Sequence, residues 1–136
     1  MESLDRFVAA QDGVYPKARR EVIAGHKASH WIWFIYPQLR GLGRSEMSHR
    51  YGIADLSEAE AYLAHPVLGP RIVEMFEILI EHHRSMDPAD IFGDLDAQKV
   101  RSSATLFARA EGAPEIFERV LDIFYDGPCP ATTRRL

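Results

Sequence analysis

Between residues 67 and 84, Leu68, Ile72, Val73, Met75, Phe76, Leu79 and Ile80 recur at spacings of three and four. That period gathers the side chains onto one stripe of an α-helix, and such a stripe must be covered by other elements. The stretch is the longest amphipathic helix in the chain, and the rest is expected to pack around it.

The remaining helices are marked by their punctuation. Ser3 is placed to cap a short helix that carries Leu4, Phe7 and Val8 on one side and stops at Gly13. Pro16 fits the first turn of a second, with Ala18, Val22 and Ile23 inward and Gly25 just past its end. Ser45 is expected to cap a helix running to Tyr51, and Ser57, followed by Glu58 and Glu60, to cap one through Ala64 that His65-Pro66 ends. Asp87-Pro88 opens a short turn closed by Gly93. Asp94 is then expected to cap a helix to about Ala110, with Val100, Ala104, Leu106 and Phe107 as its apolar side. Pro114 starts a last helix that buries Ile116, Phe117, Val120, Leu121 and Phe124. Asp126-Gly127-Pro128 breaks it and leaves an irregular tail from about residue 126.

The run Trp31-Ile32-Trp33-Phe34-Ile35-Tyr36 before Pro37 reads equally as a buried strand or a buried helical turn. A lone strand among helices would leave its ladder groups unpaired in the core, so a helical turn is expected. Pro37 ends it, and residues 39–43, with Gly41 and Gly43 flanking Leu42, form a loop. The sum is all-α: a compact single domain over residues 1–136, with seven or eight short helices around one long central helix. No repeat, low-complexity tract or linker divides the chain.

Composition narrows the function classes. With 46% hydrophobic and 26% charged residues, 136 residues suffice for one packed core. A net charge of -4 argues against a surface for nucleic-acid polymers, whose affinity depends on excess Lys and Arg. The ratio of 13 Arg to 3 Lys still leaves room for a local oxyanion site, because guanidinium geometry suits carboxylates and phosphates. Residues 31–36 are the longest apolar run, too short for a membrane span, and acids within the first five residues argue against a secretory signal. Cys129 is the only cysteine, so no intrachain disulfide forms and a reducing compartment is expected. A cytoplasmic protein with no membrane partner follows.

No Walker loop, glycine fingerprint after a strand, His-Glu-x-x-His pair or Cys-x-x-Cys is present. His26 and His30 have the spacing of two ligands on a helix face, but Gly25 interrupts that helix. His82 and His83 are adjacent at the end of the long helix, where capping its negative terminus is the simpler role. Neither a metal nor a cofactor is expected. His30 adjoins the Trp-x-Trp segment and could serve as an acid or base near neutral pH; a core histidine bonded to a backbone carbonyl is the plainer alternative.

Two tryptophans in three residues cannot share one helix face, so one of Trp31 and Trp33 is free to line a cleft and stack on a base or sugar ring. Gln38 follows, and in Gly41-Leu42-Gly43-Arg44-Ser45 exposed amides with an Arg before a helix start would make an oxyanion nest, or simply a turn. In the next polar cluster Asp96, Lys99 and Ser103 fall along one helix stripe, with Ser102 close by. Lys99 would be an anion clamp and Ser102 or Ser103 a ligand contact; the alternative is a surface ion pair and two helix-packing serines.

Taken in order, His30-Trp31-Ile32-Trp33-Phe34-Ile35-Tyr36-Pro37-Gln38, Gly41-Leu42-Gly43-Arg44-Ser45, Tyr62-Leu63-Ala64-His65-Pro66-Val67-Leu68-Gly69, Ile91-Phe92-Gly93, Asp96, Lys99 and Ser102-Ser103-Ala104-Thr105-Leu106-Phe107 resemble the domain-of-unknown-function family numbered 1810. The resemblance covers residues 4–124. It implies a compact all-helical bacterial domain and carries over no catalytic residue; the label calpastatin given to some members resembles an inherited misnomer. It marks the Trp-x-Trp-Phe segment, Gln38, the Gly-x-Gly loop and Asp96, Lys99, Ser102 and Ser103 as characteristic positions. The sequence departs at His26 and Ala28, where basic residues are expected around Lys27, and at Ala104, where a methionine is usual. A fainter likeness to helical N-glycosidases acting on ADP-ribose-like or riboflavin-precursor compounds would have Glu46 or Asp96 assist loss of the base.

The leading expectation is a cleft, between the aromatic block and the Lys99 helix, for a small anionic or nucleotide-like metabolite, with hydrolysis as one outcome. The ligand-binding candidates are Trp31, Trp33, Gln38, Gly41, Gly43, Arg44, Ser45, Lys99, Ser102 and Ser103; the catalytic candidates are His30, Glu46 and Asp96. The competing expectation is a non-enzymatic interaction module or homodimer whose exposed aromatics meet a partner protein or second copy.

Overall fold

The computed structural model describes residues 3–136; Met1 and Glu2, the start of the acidic N-terminal stretch, lie outside the described residues. The described residues form ten helices: α1 (Asp5–Gln11), α2 (Tyr15–Ala24), α3 (Ile32–Ile35), α4 (Glu46–Arg50), α5 (Leu56–Ala64), α6 (Leu68–His83), α7 (Pro88–Phe92), α8 (Asp94–Ala108), α9 (Ile116–Phe124) and α10 (Pro130–Arg135). They contain no strand. One isolated bridge pairs Leu39 with Ile53, through the Ile53 amide donating to the Gln38 carbonyl (2.9 Å) and the Arg40 amide to the Ile53 carbonyl (2.8 Å).

The all-α class is confirmed, with ten helices rather than seven or eight. The periodic stretch is the 16-residue α6, which packs against α2, α5 and α9. It shares the centre with α8, 15 residues long, which packs against α3, α5, α7, α9 and α10. Buried apolar residues from Phe7 to Leu121 form one cluster, with Trp31, Tyr36, Tyr62, Phe76, Phe107 and Phe117 its bulkiest members.

Several boundaries follow from the residues named above. Pro16 lies in the first turn of α2, and Gly25 ends it at φ 78°, a left-handed conformation that glycine adopts without strain. Ser45 Oγ accepts from the Ser48 amide (3.1 Å) and Asp87 Oδ1 from the Ala89 amide (2.9 Å), capping α4 and α7. Residues 32–35 form the helical turn expected of the aromatic run.

Other expectations are corrected. The cap of α5 is Asp55, not Ser57: Asp55 Oδ1 accepts from the Glu58 amide (2.9 Å). Glu58 Oε1 reaches back to the Ala54 amide (3.0 Å) and pairs with Arg6 (3.0 Å), so two upstream residues do the work that the Ser57 pattern suggested. Gly93, rather than Asp94, precedes α8, and α9 starts at Ile116, two residues beyond Pro114. His83 does not cap its own helix. It is buried, and its Nε2–H donates to the Val22 carbonyl (2.6 Å), closing the carbonyl end of α2.

The tail is helical rather than irregular. Pro130 takes the first turn of α10, and the segment leading to it is fastened to α8. Arg101 Nε donates to the Gly127 carbonyl (3.0 Å), the Cys129 amide to Thr105 Oγ1 (2.9 Å), and the Tyr125 hydroxyl to the Ala97 carbonyl (2.7 Å). These distant partners set the course of a stretch whose own sequence reads as a breaker. No helix among the described residues is long and apolar enough to cross a membrane.

Candidate functional site

Trp31 and Trp33 part ways, as their offset demands. Trp31 is wholly buried, and its indole Nε1–H donates to Glu21 Oε1 (3.0 Å). The same carboxylate accepts from the Ala28 amide (2.7 Å), the Ser29 amide (2.9 Å) and the Ser29 hydroxyl (2.7 Å). Burial works against ionisation of Glu21, but the hydrogen bonds from Ser29, Ala28 and Trp31 outweigh it and bring the carboxyl down to about 2. The bend between α2 and α3 is thereby pinned, and Lys27 within it is aimed at α8. Its amide donates to the Ile91 carbonyl (2.8 Å), its ammonium lies 5.1 Å from the centre of the Trp31 ring, and Nζ pairs with Asp96 Oδ2 (2.8 Å).

Asp96 also accepts from Lys99 Nζ, at 2.9 Å on Oδ1. Partial burial would raise the Asp96 pKa, yet the two adjoining ammoniums, by hydrogen bond and by charge, hold it below the usual carboxylate range. Two cations thus share one anion, and the trio carries one net positive charge. Lys99 in turn lies over Trp33, its Nζ 4.2 Å from the ring centre.

Trp33, Gln38 and Gly43 from one stretch of chain, and Lys99 and Ser102 from α8, line one hollow of about 360 Å³. Leu42, Leu95, Gln98 and Ala131 complete its wall. Gln38 is 8% exposed, and no group among the described residues hydrogen-bonds its side-chain amide. A β-carbon on Gly43 would lie 4.0 Å from Gln38 Nε2 and only 2.9 Å from Ser48 Oγ, so the absence of a side chain there lets the loop close beside Gln38. The Ser102 hydroxyl donates to Cys129 Sγ (3.4 Å). Burial pushes the Cys129 thiol up, and the Ser102 hydroxyl together with the start of α10 brings it below its ordinary value. A larger depression of about 530 Å³, between Arg40, Asp55 and Arg135, contains none of the candidate residues.

The other candidates lie elsewhere. Trp31 belongs to the core. Gly41 faces Arg135, whose guanidinium nitrogen would be 2.9 Å from a β-carbon placed there. Arg44 and Ser45 are exposed outside the hollow, and Ser45 spends its side-chain oxygen on capping α4, so the expected oxyanion nest serves as a helix start. Ser103 is wholly buried, and its hydroxyl finds no partner among the described residues. Of the acid-base candidates, His30 and Glu46 are exposed outside the hollow, and Asp96 is held between the two lysines. Among the described residues no three His, Cys, Asp or Glu side chains assemble as metal ligands. Glu21 and Lys27, which were not among the sequence candidates, adjoin the site through Trp31 and Asp96. The available signal was Lys27 itself, one of three lysines in the chain and four residues before Trp31.

Fold and hollow together define an all-helical domain with a small polar and aromatic hollow between its central helix α8 and an aromatic turn. The chain belongs to the DUF1810 family, described as protein of unknown function, which matches residues 1–136. It is similar to the crystal structure of the conserved hypothetical protein Rv1873 from Mycobacterium tuberculosis, with 45% identity, a TM-score of 0.94 and coverage of 98% of this chain and 95% of that one. No curated protein matches the chain significantly.

Proposed function

We propose that this protein binds a small anionic metabolite in the hollow between Trp33 and α8. The observation that carries this reading is the shared Asp96: Lys27 and Lys99 have one carboxylate between them, which leaves uncompensated positive charge at the edge of the hollow. An oxyanion arriving at Lys99 gains a charge-assisted hydrogen bond in a partly desolvated setting, while its apolar body meets Trp33, Leu42 and Leu95. A hollow of about 360 Å³ suits a metabolite of modest size. The polar groups that line the hollow, an ammonium, two carboxamides and a hydroxyl, support binding of such a ligand.

We read residues 1–136 as one domain on the strength of the single buried cluster, and as cytoplasmic, where the free Cys129 stays reduced. Calorimetric titration with inorganic phosphate and with benzoate tests the anion reading. Saturable binding that Lys99→Met weakens by about tenfold supports it; binding indifferent to Lys99 contradicts it.

One observation favours a second reading, in which this face meets another chain. Leu95, on the wall of the hollow, is 80% exposed. Light scattering separates the two: a stable dimer in which Trp33 is shielded from an aqueous quencher supports the interaction module, and a monomer with Trp33 accessible supports the metabolite site.

A further inference from the structure

We infer that the ligand is a flat heterocyclic oxyanion with a lactam or carboxamide edge, N–H beside C=O, and that Gln38 is the residue that reads this edge. The inference rests on the anion reading of the hollow and adds what lies beyond Lys99.

A glutamine side chain offers an acceptor and two donors, and a buried one normally spends them on the protein. Gln11 shows the ordinary case in this same chain. It is 2% exposed, its Nε2 donates to the Phe34 carbonyl (2.8 Å) and the Tyr62 hydroxyl (3.2 Å), and its Oε1 accepts from Arg71 (3.1 Å). Gln38 is nearly as buried, and its backbone carbonyl is bonded to the Ile53 amide, but its side chain has no such partner among the described residues and lines the hollow. The fully buried side-chain groups without a partner among the described residues are the Ser103 and Thr132 hydroxyls, so the Gln38 amide is instead reached through the hollow, where an entering group can complete its hydrogen bonds.

The surroundings state the shape of that group. A single ligand group that meets the N–H and C=O of an amide together presents an adjacent donor and acceptor in one plane, the arrangement of a cyclic lactam, a cyclic imide or a primary carboxamide. The half-buried Trp33 indole supplies an apolar wall for a ring, and Gly43, whose missing β-carbon would be 2.9 Å from Ser48 Oγ, lets the loop lie beside Gln38 Nε2. Lys99 sits over the Trp33 ring, so the oxyanion belongs at the end of the ring that faces α8. Ring, edge and charge are recognised by three different residues.

The test is calorimetric titration of the full chain with four probes. Orotate has ring, imide edge and carboxylate; benzoate has ring and carboxylate only; uracil has ring and edge without charge; uridine 5′-monophosphate carries its oxyanion as a phosphate. Orotate or uridine 5′-monophosphate is expected to bind at least about tenfold more tightly than both benzoate and uracil, and the tighter of the two identifies carboxylate or phosphate. In Gln38→Met the orotate-over-benzoate ratio collapses toward one, and in Lys99→Met the orotate-over-uracil ratio does so. A readout in the unaltered chain guards against a misfolded variant: the Gln38 side-chain amide resonances shift with orotate and not with benzoate. Equal affinity for orotate and benzoate, or Gln38 resonances that ignore orotate, overturns the assignment of Gln38 while leaving the anion site standing. Failure of every anion to bind at the hollow overturns the anion reading, and this inference with it.

Discussion

The Lys99 ammonium stands 4.2 Å from the centre of the Trp33 ring, and this contact joins the aromatic turn to the face of α8. Asp96, one helical turn before Lys99, draws the same ammonium from the other side at 2.9 Å. The lysine is therefore held over the hollow by a carboxylate and a ring face, with hydrogen-bonding capacity left for a ligand.

Substitutions within the lysine–aspartate trio should separate stability from affinity. Asp96→Asn leaves the largely buried Lys27 without its counter-charge and is expected to cost about 2–3 kcal/mol of folding stability. It also raises the positive charge at the hollow and so tightens the binding of small oxyanions. Lys99→Met is expected to have the opposite balance, a small effect on stability and a large loss of anion affinity. Urea unfolding together with phosphate titration of both variants checks the pair of signs.

Glu21 should give the fold an acid-sensitive component. Its carboxyl is lowered from 4.5 to about 2 in the folded chain, so the folded state holds the ionised form more strongly than the unfolded state does. The resulting stabilisation is fully present above about pH 4.5 and is lost as the pH falls from there toward 2. Glu21→Gln should lower stability at neutral pH and flatten the decline across that interval. Urea midpoints at about pH 6, 4 and 3 measure both effects.

The two tryptophans should respond differently to the same change. Trp31→Phe removes a donor from Glu21 and volume from a packed core, an expected loss of about 2–3 kcal/mol. Trp33→Phe, at a half-buried position, should cost less than about 1 kcal/mol. Thermal unfolding of the two variants checks the order, and equal losses would contradict the division between core and hollow.

Residue 69 tests the packing of α5 on α6. A β-carbon on Gly69 would fall 2.1 Å from the Leu63 carbonyl oxygen, a backbone atom that cannot swing away. Gly69→Ala is expected to destabilise the chain by about 3 kcal/mol, read as a shift in urea midpoint without loss of helical circular dichroism at low temperature.

Much of this architecture is local and therefore legible in the chain. Pro16, Gly25, Ser45, Asp87 and Gly93 act through backbone groups within a few residues, and each stands at a boundary where its chemistry says it should. What escaped notice depends on partners far along the sequence. The Pro128-Cys129-Pro130 stretch looks like a breaker until Arg101 and Thr105 fasten it to α8 and let Pro130 open a helix. In the hollow, the residue types in two stretches pointed to Trp33, Gln38, Gly43, Lys99 and Ser102. Trp31 and Ser103, each a residue or two away, turn into the core because neighbouring positions on a helix differ by about 100° in direction. Glu21 and Lys27 act through Trp31 and Asp96, contacts that only the packed chain creates.

Nuclear magnetic resonance titration of the uniformly labelled chain with a mixture of small carboxylates and phosphates addresses the anion-binding hollow most directly, because it reports where ligands bind without altering a residue. Anion binding in the hollow is expected to give saturable shifts at the Trp33 indole N–H, the Gln38 side-chain amide and the Gly43 and Ser102 backbone amides. Shifts confined to the depression near Arg40 and Arg135, or none at these four groups, would contradict it.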